Sequence, residues 1–347
     1  MKKVLVTGIL GQDGANMAEY LLSLGDIYVY GMMRRSGSPN YSNIKDFSEN
    51  DKFKLVDGDL SDEVSINKLV SEIQPDYFIN FGANSFVGCS WDMPLQVFDV
   101  NTLGVIRCLE SIRKFKPDCR FYSAGSSEEF GDVDYSPQDI NHPIKPRSPY
   151  GASKAAARHL VKVYRESYNL FAVHSILFNH EGIKRGEEFV TRKITKGVAR
   201  ILRLMDQGKE FDPVSLGNIY SKRDWSDSED FVKGVWLILN QDKPKEYVLS
   251  SNETHSIKEF IELSFGAAGI EGEWSGEGME EKYLSAEDGA VLVQVNKDFY
   301  RPAEIELLYG DSTPARAELG WSPEYSFKDL VTRMTENDIR LTKAPQS

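Results

Sequence analysis

Two side chains at helical spacing could carry out proton transfer. Tyr150 and Lys154 are four residues apart, so a helix would place both on one face. Pro149, directly before Tyr150, is typical of the first turn of a helix. A phenol with a pKa of about 10 is a weak base at neutral pH, but a neighbouring ammonium group favours the phenolate. The pair therefore predicts a base that removes a hydroxyl proton while a hydride passes to a nicotinamide.

A second polar group follows a strand predicted at Phe121–Ala124. It contains Ser126, which could hydrogen-bond a substrate hydroxyl or carbonyl, and Glu128. In parallel sheets, ligands bind beyond the carboxyl ends of the strands. A carboxylate beside a newly formed ketone could remove the acidic proton of the neighbouring carbon, and water could then leave from the next carbon. The alternative is that Glu128 or Glu129 only stabilises the N-terminus of a helix.

A glycine-rich turn near the N-terminus is typical of a phosphate site. It follows a strand predicted at Val4–Thr7 and precedes a helix predicted over Gly14–Ser23. Glycines at this spacing allow a tight turn and a close approach of the backbone to a pyrophosphate, which the helix N-terminus also attracts. An ordinary glycine-rich turn is the alternative. The turn consists of Gly8, Ile9, Leu10, Gly11, Gln12, Asp13 and Gly14.

The end of the second predicted strand, Ile27–Met33, indicates which dinucleotide would bind. An NAD site usually has an acidic residue here for the ribose 2′-hydroxyl. This sequence has Arg34 and Arg35 instead, followed by Ser36. Two guanidinium groups suit a 2′-phosphate, so we predict NADP rather than NAD; the alternative is that both are solvated surface charges. Asp59, after the third strand, is expected near the adenine.

These groups need a scaffold of parallel strands, and the first part of the chain has that pattern. Apolar runs alternate with helical periodicity, which indicates an α/β fold of Rossmann type, a doubly wound parallel sheet with helices on both faces. The predicted strands are Val4–Thr7, Ile27–Met33, Phe53–Val56, Tyr77–Phe81, Phe121–Ala124 and Phe171–Leu177. The predicted helices are Gly14–Ser23, Val64–Ile73, Leu103–Phe115, Gly151–Tyr168, Lys193–Asp206 and Asp230–Leu239. We expect an NADP-binding domain over residues 1–178 and a smaller α/β substrate-binding lobe over 179–347, without one clean boundary.

Composition argues against several other classes of protein. The 347 residues carry 41 Lys and Arg against 53 Asp and Glu, a net charge of −12, which disfavours nonspecific binding to nucleic acids or membranes. Three cysteines without a CxxC pattern argue against a disulfide framework, and five histidines without HxH or HExxH spacing argue against a metal site. We expect no signal peptide, because the first apolar run stops at Gly8, and no membrane span; a cytoplasmic location is the default expectation.

Motifs of one known family extend over nearly the whole chain. The matching segments are Val6–Gly14, Arg34–Ser36, Arg147–Tyr150, Leu177–Glu181, Arg185–Glu187, Phe189–Ile194, Leu216–Asn218, Lys222–Trp225 and Tyr300–Glu304. With the Ser-x-Glu and Tyr-x-x-x-Lys motifs, they make the chain similar to the extended short-chain dehydrogenase/reductases. More narrowly, the chain resembles the GDP-mannose 4,6-dehydratase family. The segments Phe189–Lys193 and Lys222–Trp225 are much more specific than Tyr-x-x-x-Lys.

The resemblance implies oxidation of a hexose at C4 with bound NADP, loss of water across C5 and C6, and return of the hydride to C6. It implies that Tyr150 is the C4 base, Lys154 its helper, Ser126 a hydroxyl in the family's threonine position, and Glu128 the acid–base at C5 and C6. The implied cofactor positions are Gly8, Ile9, Leu10, Gly11, Gln12, Asp13, Gly14, Arg34, Arg35, Ser36, Asp59, Leu60, Phe81, Gly82, Ala83, Asn84, Ser85, Gln96, Lys154, His180 and Arg185. The implied GDP-sugar positions are Ser85, Ser126, Glu128, Tyr150, Asn179, Val190, Lys193, Gly217, Arg223, Arg301 and Glu304.

Several positions depart from the family's pattern, and we expect them around the sugar pocket. They are Asn84 in place of Gln, Phe86 in place of His, Gln96 in place of Tyr, Ser126 in place of Thr, Glu129–Phe130 in place of Leu-Tyr, and Ser226–Asp227 in place of Gly-His. The departures therefore bear on the identity of the sugar more than on the chemistry. A GDP-heptose or another GDP-hexose is an alternative to GDP-mannose.

Two other functions stay open from the sequence. A related NADP-dependent sugar-nucleotide epimerase or reductase would not need the acid–base Glu128. A non-catalytic NADP-binding regulator is disfavoured, because Ser126, Tyr150 and Lys154 are present as well. The resemblance also implies a homodimer or homotetramer, with the loop after Arg35 reaching a neighbouring subunit.

Overall fold

The computed structural model of the chain describes residues 1–300, 305 and 307–343. Arg301 and Glu304, both predicted to bind the sugar nucleotide, lie outside the described residues. The strands are β1 (Lys2–Thr7), β2 (Ile27–Met33), β3 (Phe53–Asp57), β4 (Tyr77–Asn80), β5 (Arg120–Ala124), β6 (Ala172–Leu177), β7 (Asn179–Glu181), β8 (Val214–Leu216), β9 (Lys222–Arg223), β10 (Trp225–Asp227), β11 (Val248–Leu249), β12 (His255–Ser256), β13 (Gly272–Ser275), β14 (Lys282–Ser285), β15 (Val291–Val295) and β16 (Leu307–Leu308). The α-helices are α1 (Gln12–Ser23), α2 (Glu63–Ile73), α3 (Pro94–Phe98), α4 (Gly104–Phe115), α5 (Pro149–Tyr168), α6 (Val190–Asp206), α7 (Ser228–Leu239), α8 (Ile257–Ala267), α9 (Thr313–Leu319) and α10 (Phe327–Lys343).

A parallel sheet organises the N-terminal half. Within the described residues it has seven strands in the order β11-β6-β5-β4-β1-β2-β3. The chain order reverses on either side of β1, and in sheets of this type ligands bind beyond the carboxyl ends of the strands at that reversal. The predicted doubly wound parallel sheet is confirmed, and the predicted strands occur with ends shifted by at most two residues.

Both faces of this sheet are covered, which explains its apolar strands. Along β1, Val4 and Val6 belong to a core formed with α1 and α7, whereas Leu5 belongs to a second core formed with α2, α4 and α5. Successive side chains of a strand point to opposite faces, so a strand buried on both sides reads as a continuous apolar run. All three side chains are fully buried.

A third apolar core lies in the C-terminal half. Helices α6, α8 and α10 pack there against a small sheet in the order β13-β14-β15-β8. Strand β13 carries little sequence signal, because its four residues are alternately half-buried and exposed. The C-terminal half also contributes to the central sheet, since β11 pairs with β6 and α7 packs beside α1. A lobe boundary at residues 178 and 179 stays a prediction.

Candidate functional site

A cleft of about 950 Å³ lies beyond the carboxyl ends of β1, β4, β5 and β6. Most of the predicted site residues line it: Gly8, Leu10, Gly11, Gln12, Asp13, Gly14, Phe81, Gly82, Ala83, Ser85, Ser126, Glu128, Tyr150, Lys154, Asn179, His180, Arg185, Val190, Gly217 and Arg223. The predicted residues that do not line it are Ile9, Arg34, Arg35, Ser36, Asp59, Leu60, Asn84, Gln96 and Lys193. The topology thus brings the proton-transfer groups and the glycine turn to one cavity, although they are far apart in the sequence.

The glycine turn has a shape that only glycines allow. Gly8 has a φ of +67°, and a Cβ there would lie 2.9 Å from the amide nitrogen of Gly82. A Cβ on Gly14 would lie 2.3 Å from the Gly8 carbonyl oxygen. Gly11 is the N-cap of α1, and no described side chain caps this helix. A phosphate would satisfy the N–H groups of its first turn, so the turn fits the pyrophosphate of a dinucleotide.

The loop after β2 forms one wall of the cleft. Arg34 and Arg35 are exposed directly after the strand, beside the end of β1. Further along, the Asn43 side-chain amide donates to the carbonyls of Leu10 and Lys184, both at 3.1 Å. These bonds tie the loop to the glycine turn and to the segment after β7. The two arginines follow the carboxyl end of β2, the strand that pairs with β1, and do not line the cavity itself.

An imidazole joins the glycine turn to the end of β6. His180 Nδ1 lies 2.7 Å from the carbonyl of Phe178, and its Nε2 lies 2.9 Å from Asp13 Oδ2. Both nitrogens thus face acceptors, an arrangement that favours the imidazolium. Burial would lower the pKa of His180, but the Asp13 charge and the hydrogen bonds outweigh it, and this pKa is raised. Burial would likewise raise the pKa of Asp13, but His180 outweighs it, and this pKa is lowered.

Helix α5 places Tyr150 and Lys154 as predicted, on the buried face. Ser148 caps the helix by accepting from the amide of Gly151 at 2.9 Å. Lys154 Nζ donates to the carbonyl of Ala124 at 2.8 Å and lies 5.9 Å from the centroid of the Tyr150 ring. Burial lowers the pKa of Lys154 to about 8. Burial also raises the pKa of the Tyr150 phenol. The hydrogen bond between this phenol and the Ser126 hydroxyl opposes that effect.

The turn after β5 separates the roles of its two glutamates. Ser126 caps a 3₁₀ turn over Ser127–Glu129, and its hydroxyl accepts from the amide of Glu128 at 3.2 Å. The fully buried Glu129 accepts from the Ser126 amide through Oε1 at 2.9 Å. Glu129 is therefore the carboxylate that stabilises the start of the 3₁₀ turn. The half-buried Glu128 instead lines the cleft with Ser126 and Tyr150.

Cationic side chains lie in the cleft or beside it. Arg223 is buried and donates to the carbonyl of Lys222 at 2.9 Å. The Lys193 ammonium lies 3.6 Å from the centroid of the Phe299 ring, which lines the cavity. Burial lowers the pKa of Lys193. The Arg185 guanidinium lies 3.4 Å from the centroid of the Phe189 ring. These groups suit a diphosphate despite the net negative charge of the protein.

The departures from the family's pattern occupy different places. Phe86 lines the cleft and packs edge-to-face on Phe189, with ring centroids 6.0 Å apart. Asn84 does not line it; its backbone amide donates to Asn101 Oδ1 at 2.9 Å. Asp227 is buried outside the cleft, where it caps α7 and pairs with Arg333. Phe86 and Ser126 are thus the departures that line the cavity.

Residues without any sequence motif complete the cavity. They include Asn40, Ser42, Asn43, Lys45 and Asp46 from the loop after β2, and Asn337 and Arg340 from α10. Helix α10 is nearly two hundred residues beyond Tyr150, and no spacing rule links the two.

Within the described residues, no group of three or more His, Cys, Asp or Glu side chains could hold a metal ion. Among the helices of the same part of the chain, none is long and apolar enough to cross a lipid bilayer.

Proteins of known type resemble this chain in sequence and in fold. The GDP-mannose 4,6 dehydratase family model matches residues 5–334. The GDP-mannose 4,6-dehydratase of Yersinia enterocolitica is 41% identical over 360 residues, covering 99% of this chain and 95% of that protein. The dTDP-glucose 4,6-dehydratase of Bacillus anthracis, solved with NAD, superposes with a TM-score of 0.79 at 18% identity, over 97% of this chain and 96% of that one. RMD of Pseudomonas aeruginosa, solved with NADPH, gives 0.76 at 20% identity over 98% of each chain. At these identities the two structures show the fold alone, whereas the sequence matches are nearly full-length. The chain therefore belongs to the GDP-mannose 4,6-dehydratase family.

Proposed function

We propose that the protein converts GDP-D-mannose into GDP-4-dehydro-6-deoxy-D-mannose. The observation that carries this proposal is the common cavity of Tyr150, Ser126 and Glu128, with Lys154 buried beside them. Membership of the family and the full-length relative at 41% identity support it. A simple dehydrogenase would need the tyrosine and the lysine but not the carboxylate.

Tyr150 begins the reaction by removing the proton of the C4 hydroxyl. Its phenol is buried and hydrogen-bonded with Ser126, so the serine hydroxyl can hold the C4 oxygen while the proton moves. The nearby Lys154 ammonium favours the phenolate electrostatically. A nicotinamide dinucleotide held at the glycine turn would supply the hydride acceptor for C4 and the hydride donor for C6.

Glu128 carries the step that distinguishes a dehydratase from an epimerase. The C4 ketone acidifies the proton on C5, and a carboxylate in the cavity can remove it. The same group, now protonated, can donate to the C6 hydroxyl and release it as water. Glu128 is two residues after Ser126, in the 3₁₀ turn that Ser126 caps, and lines the same cavity. We therefore expect a ring held by Ser126 and Tyr150 to present C5 and C6 to Glu128.

We propose NADP as the cofactor, held by the glycine turn and by Arg34 and Arg35. The fold neighbours bind NAD or NADPH, which supports a nicotinamide dinucleotide of either kind. The preference for NADP rests on the exposed arginine pair after β2. The double variant Arg34→Ala with Arg35→Ala should weaken NADPH binding by about 10- to 100-fold and leave NADH binding within about twofold. Equal losses for both dinucleotides would contradict the assignment; Lys209→Ala, an exposed cation elsewhere, is the control.

The identity of the sugar is tested by a panel of GDP-sugars without added reductant. We expect GDP-mannose to yield a product lighter by one water, because the hydride is returned at each turnover. Phe86 makes part of the cavity apolar where the family usually has a polar histidine, so a GDP-heptose belongs in the panel. Conversion of the heptose alone would reassign the substrate but keep the reaction. In a separate incubation with added NADPH, consumption of the NADPH would favour a reductase.

We propose that the protein forms a homodimer or a homotetramer. Helices α3 and α5 expose large apolar side chains, among them Leu95 at 87% and Val163 at 52% of their full areas. Exposed apolar patches mark interaction surfaces. Light scattering should give two or four times the 39.2 kDa chain mass, and Leu95→Glu with Val163→Glu should give a smaller assembly. A monomeric parent protein would contradict the proposal.

A cytoplasmic location stays a prediction, which cell fractionation tests.

A further inference from the structure

We propose that a buried carboxylate–imidazole pair, Glu129 and His174, lies beside the catalytic groups and positions Ser126 and Lys154 for the reaction. Neither side chain contacts solvent, and neither lines the cleft. They act through other residues, so both are positioning residues. The role deepens the proposed function and rests on it.

The pair is packed against the backbone that carries the catalytic turn. Glu129 Oε1 lies 2.9 Å from His174 Nε2 and also accepts from the Ser126 amide. His174 Nδ1 lies 3.2 Å from the Ser123 hydroxyl. A Cβ on Gly125 would come within 2.5 Å of His174 Nε2 and 2.8 Å of Glu129 Oε1. The pair thus joins β5 and β6 directly behind Gly125 and fixes the direction in which Ser126 leaves the strand.

The hydrogen bonds of the pair accommodate a neutral imidazole. Nε2–H of His174 can donate to Glu129, and the Ser123 hydroxyl can donate to Nδ1, so a neutral imidazole is fully bonded. The carboxylate then keeps one net negative charge. Its second oxygen, Oε2, is buried without a hydrogen-bond partner in the described part of the chain. An ionised carboxylate this deeply buried is costly unless a positive charge compensates it.

Lys154 is a buried cation held at the end of β5, the backbone segment against which this carboxylate packs. Its ammonium donates to the carbonyl of Ala124, the residue before Gly125. The charge of Glu129 raises the pKa of Lys154, as does that of Asp13 on α1, and both oppose the larger effect of burial. The charge of Glu129 thus favours the protonated form of Lys154.

The other groups around these charges determine the sign of the pH effect. Tyr150 faces Ser126, Glu128, Glu129 and Arg185, and Glu129 also faces Tyr122 on β5 and His174 on β6. The negative charge of Glu129 disfavours the phenolate of Tyr150 as well as favouring the Lys154 ammonium. Removal of this charge should therefore lower the pKa of both Tyr150 and Lys154. The acid limb and the alkaline limb of the pH–rate profile should then both move to lower pH.

The variant Glu129→Gln isolates the charge, because its amide oxygen can still accept from the Ser126 amide. We expect its pH–rate profile to move to lower pH by about half a unit to one unit, with NADPH affinity within about twofold of the parent. Glu166→Gln, exposed on α5, is the matched control and should leave the profile in place. A folded, NADPH-binding Glu129→Gln protein with the parental profile would overturn the proposal.

A second readout does not depend on turnover. NMR titration of protein labelled at the lysine ε-carbons gives the midpoint for Lys154, whose signal is identified by its loss in Lys154→Arg. We expect this midpoint to fall by about half a unit to one unit in Glu129→Gln. If that variant does not fold, Glu129→Leu with His174→Asn removes the charge and its partner together and should show the same fall. A Lys154 midpoint that is unchanged in the variant refutes the positioning role. A shifted midpoint in the variant, together with a parent protein that does not convert GDP-mannose, refutes the proposed function alone.

Discussion

Replacing His180 with asparagine removes the imidazole that joins the glycine turn to the end of β6. The imidazole lies 2.9 Å from Asp13 Oδ2 and 2.7 Å from the Phe178 carbonyl. Only 14% of the His180 side chain and 23% of the Asp13 side chain are exposed, so solvent screens the pair weakly. A hydrogen bond to a charged group contributes about 1.5–3 kcal/mol. We therefore expect His180→Asn to lower the free energy of unfolding by about 2 kcal/mol at pH 6.

The same contact predicts how this loss depends on pH. The pKa of His180 is raised by Asp13 against burial, so the imidazolium stabilises the fold below its unfolded pKa of about 6.5, and this contribution disappears as the pH rises through the raised value. The pKa of Asp13 is lowered by His180 against burial, so its contribution is present above about 3.9 and disappears as the pH falls through the lowered value. The effect should be largest between about pH 4 and 6.5.

Urea unfolding of the parent and His180→Asn proteins at a series of pH values measures the effect. The difference in unfolding free energy should shrink above pH 7 but not vanish, because a neutral imidazole still hydrogen-bonds. His159→Asn, an exposed histidine on α5, is the control and should show almost no difference. A His180→Asn difference that is constant with pH, or that grows as the pH rises, would refute the charged contact.

Two further changes test the catalytic and cofactor sites. Glu128→Gln should lower turnover of GDP-mannose by about 100-fold or more. The absorbance of reduced cofactor should still appear, because C4 oxidation does not need this carboxylate. Turnover at the parental rate would refute the role of Glu128 as the acid–base. Gly14→Ala places a Cβ 2.3 Å from the Gly8 carbonyl oxygen, so the turn must shift and NADPH affinity should fall by about 5- to 150-fold. Gly266→Ala, where a Cβ meets open space, should not change that affinity.

The α/β alternation was predictable because of how the central sheet is buried. Strands covered on both faces, such as β1, read as unbroken apolar runs, and the helices between them keep a 3.6-residue period. Pro149 indicated the first turn of α5, and the structure begins the helix there, two residues before the predicted start at Gly151. Strand β13 had no comparable signal, since none of its residues is fully buried.

The chemistry of the cleft was predictable where adjacent residues form a motif, and not where tertiary packing supplies a residue. The Tyr150 and Lys154 pair and the glycine turn carry their spacing in the sequence. Asn43 and Arg340 reach the cavity from a loop and from the last helix, which no local rule connects to it. Burial also assigned the roles of the two glutamates after β5, because the sequence alone does not show that Glu129 is the one enclosed.

The central claim is that the hydride removed from C4 is returned to C6 of the same sugar. GDP-mannose carrying deuterium at C4, incubated with the protein and no added reductant, tests it directly. Mass spectrometry and NMR should find a product that has lost one water and carries the deuterium at C6. Deuterium retained at C4, or lost to solvent during formation of the product, would contradict the account.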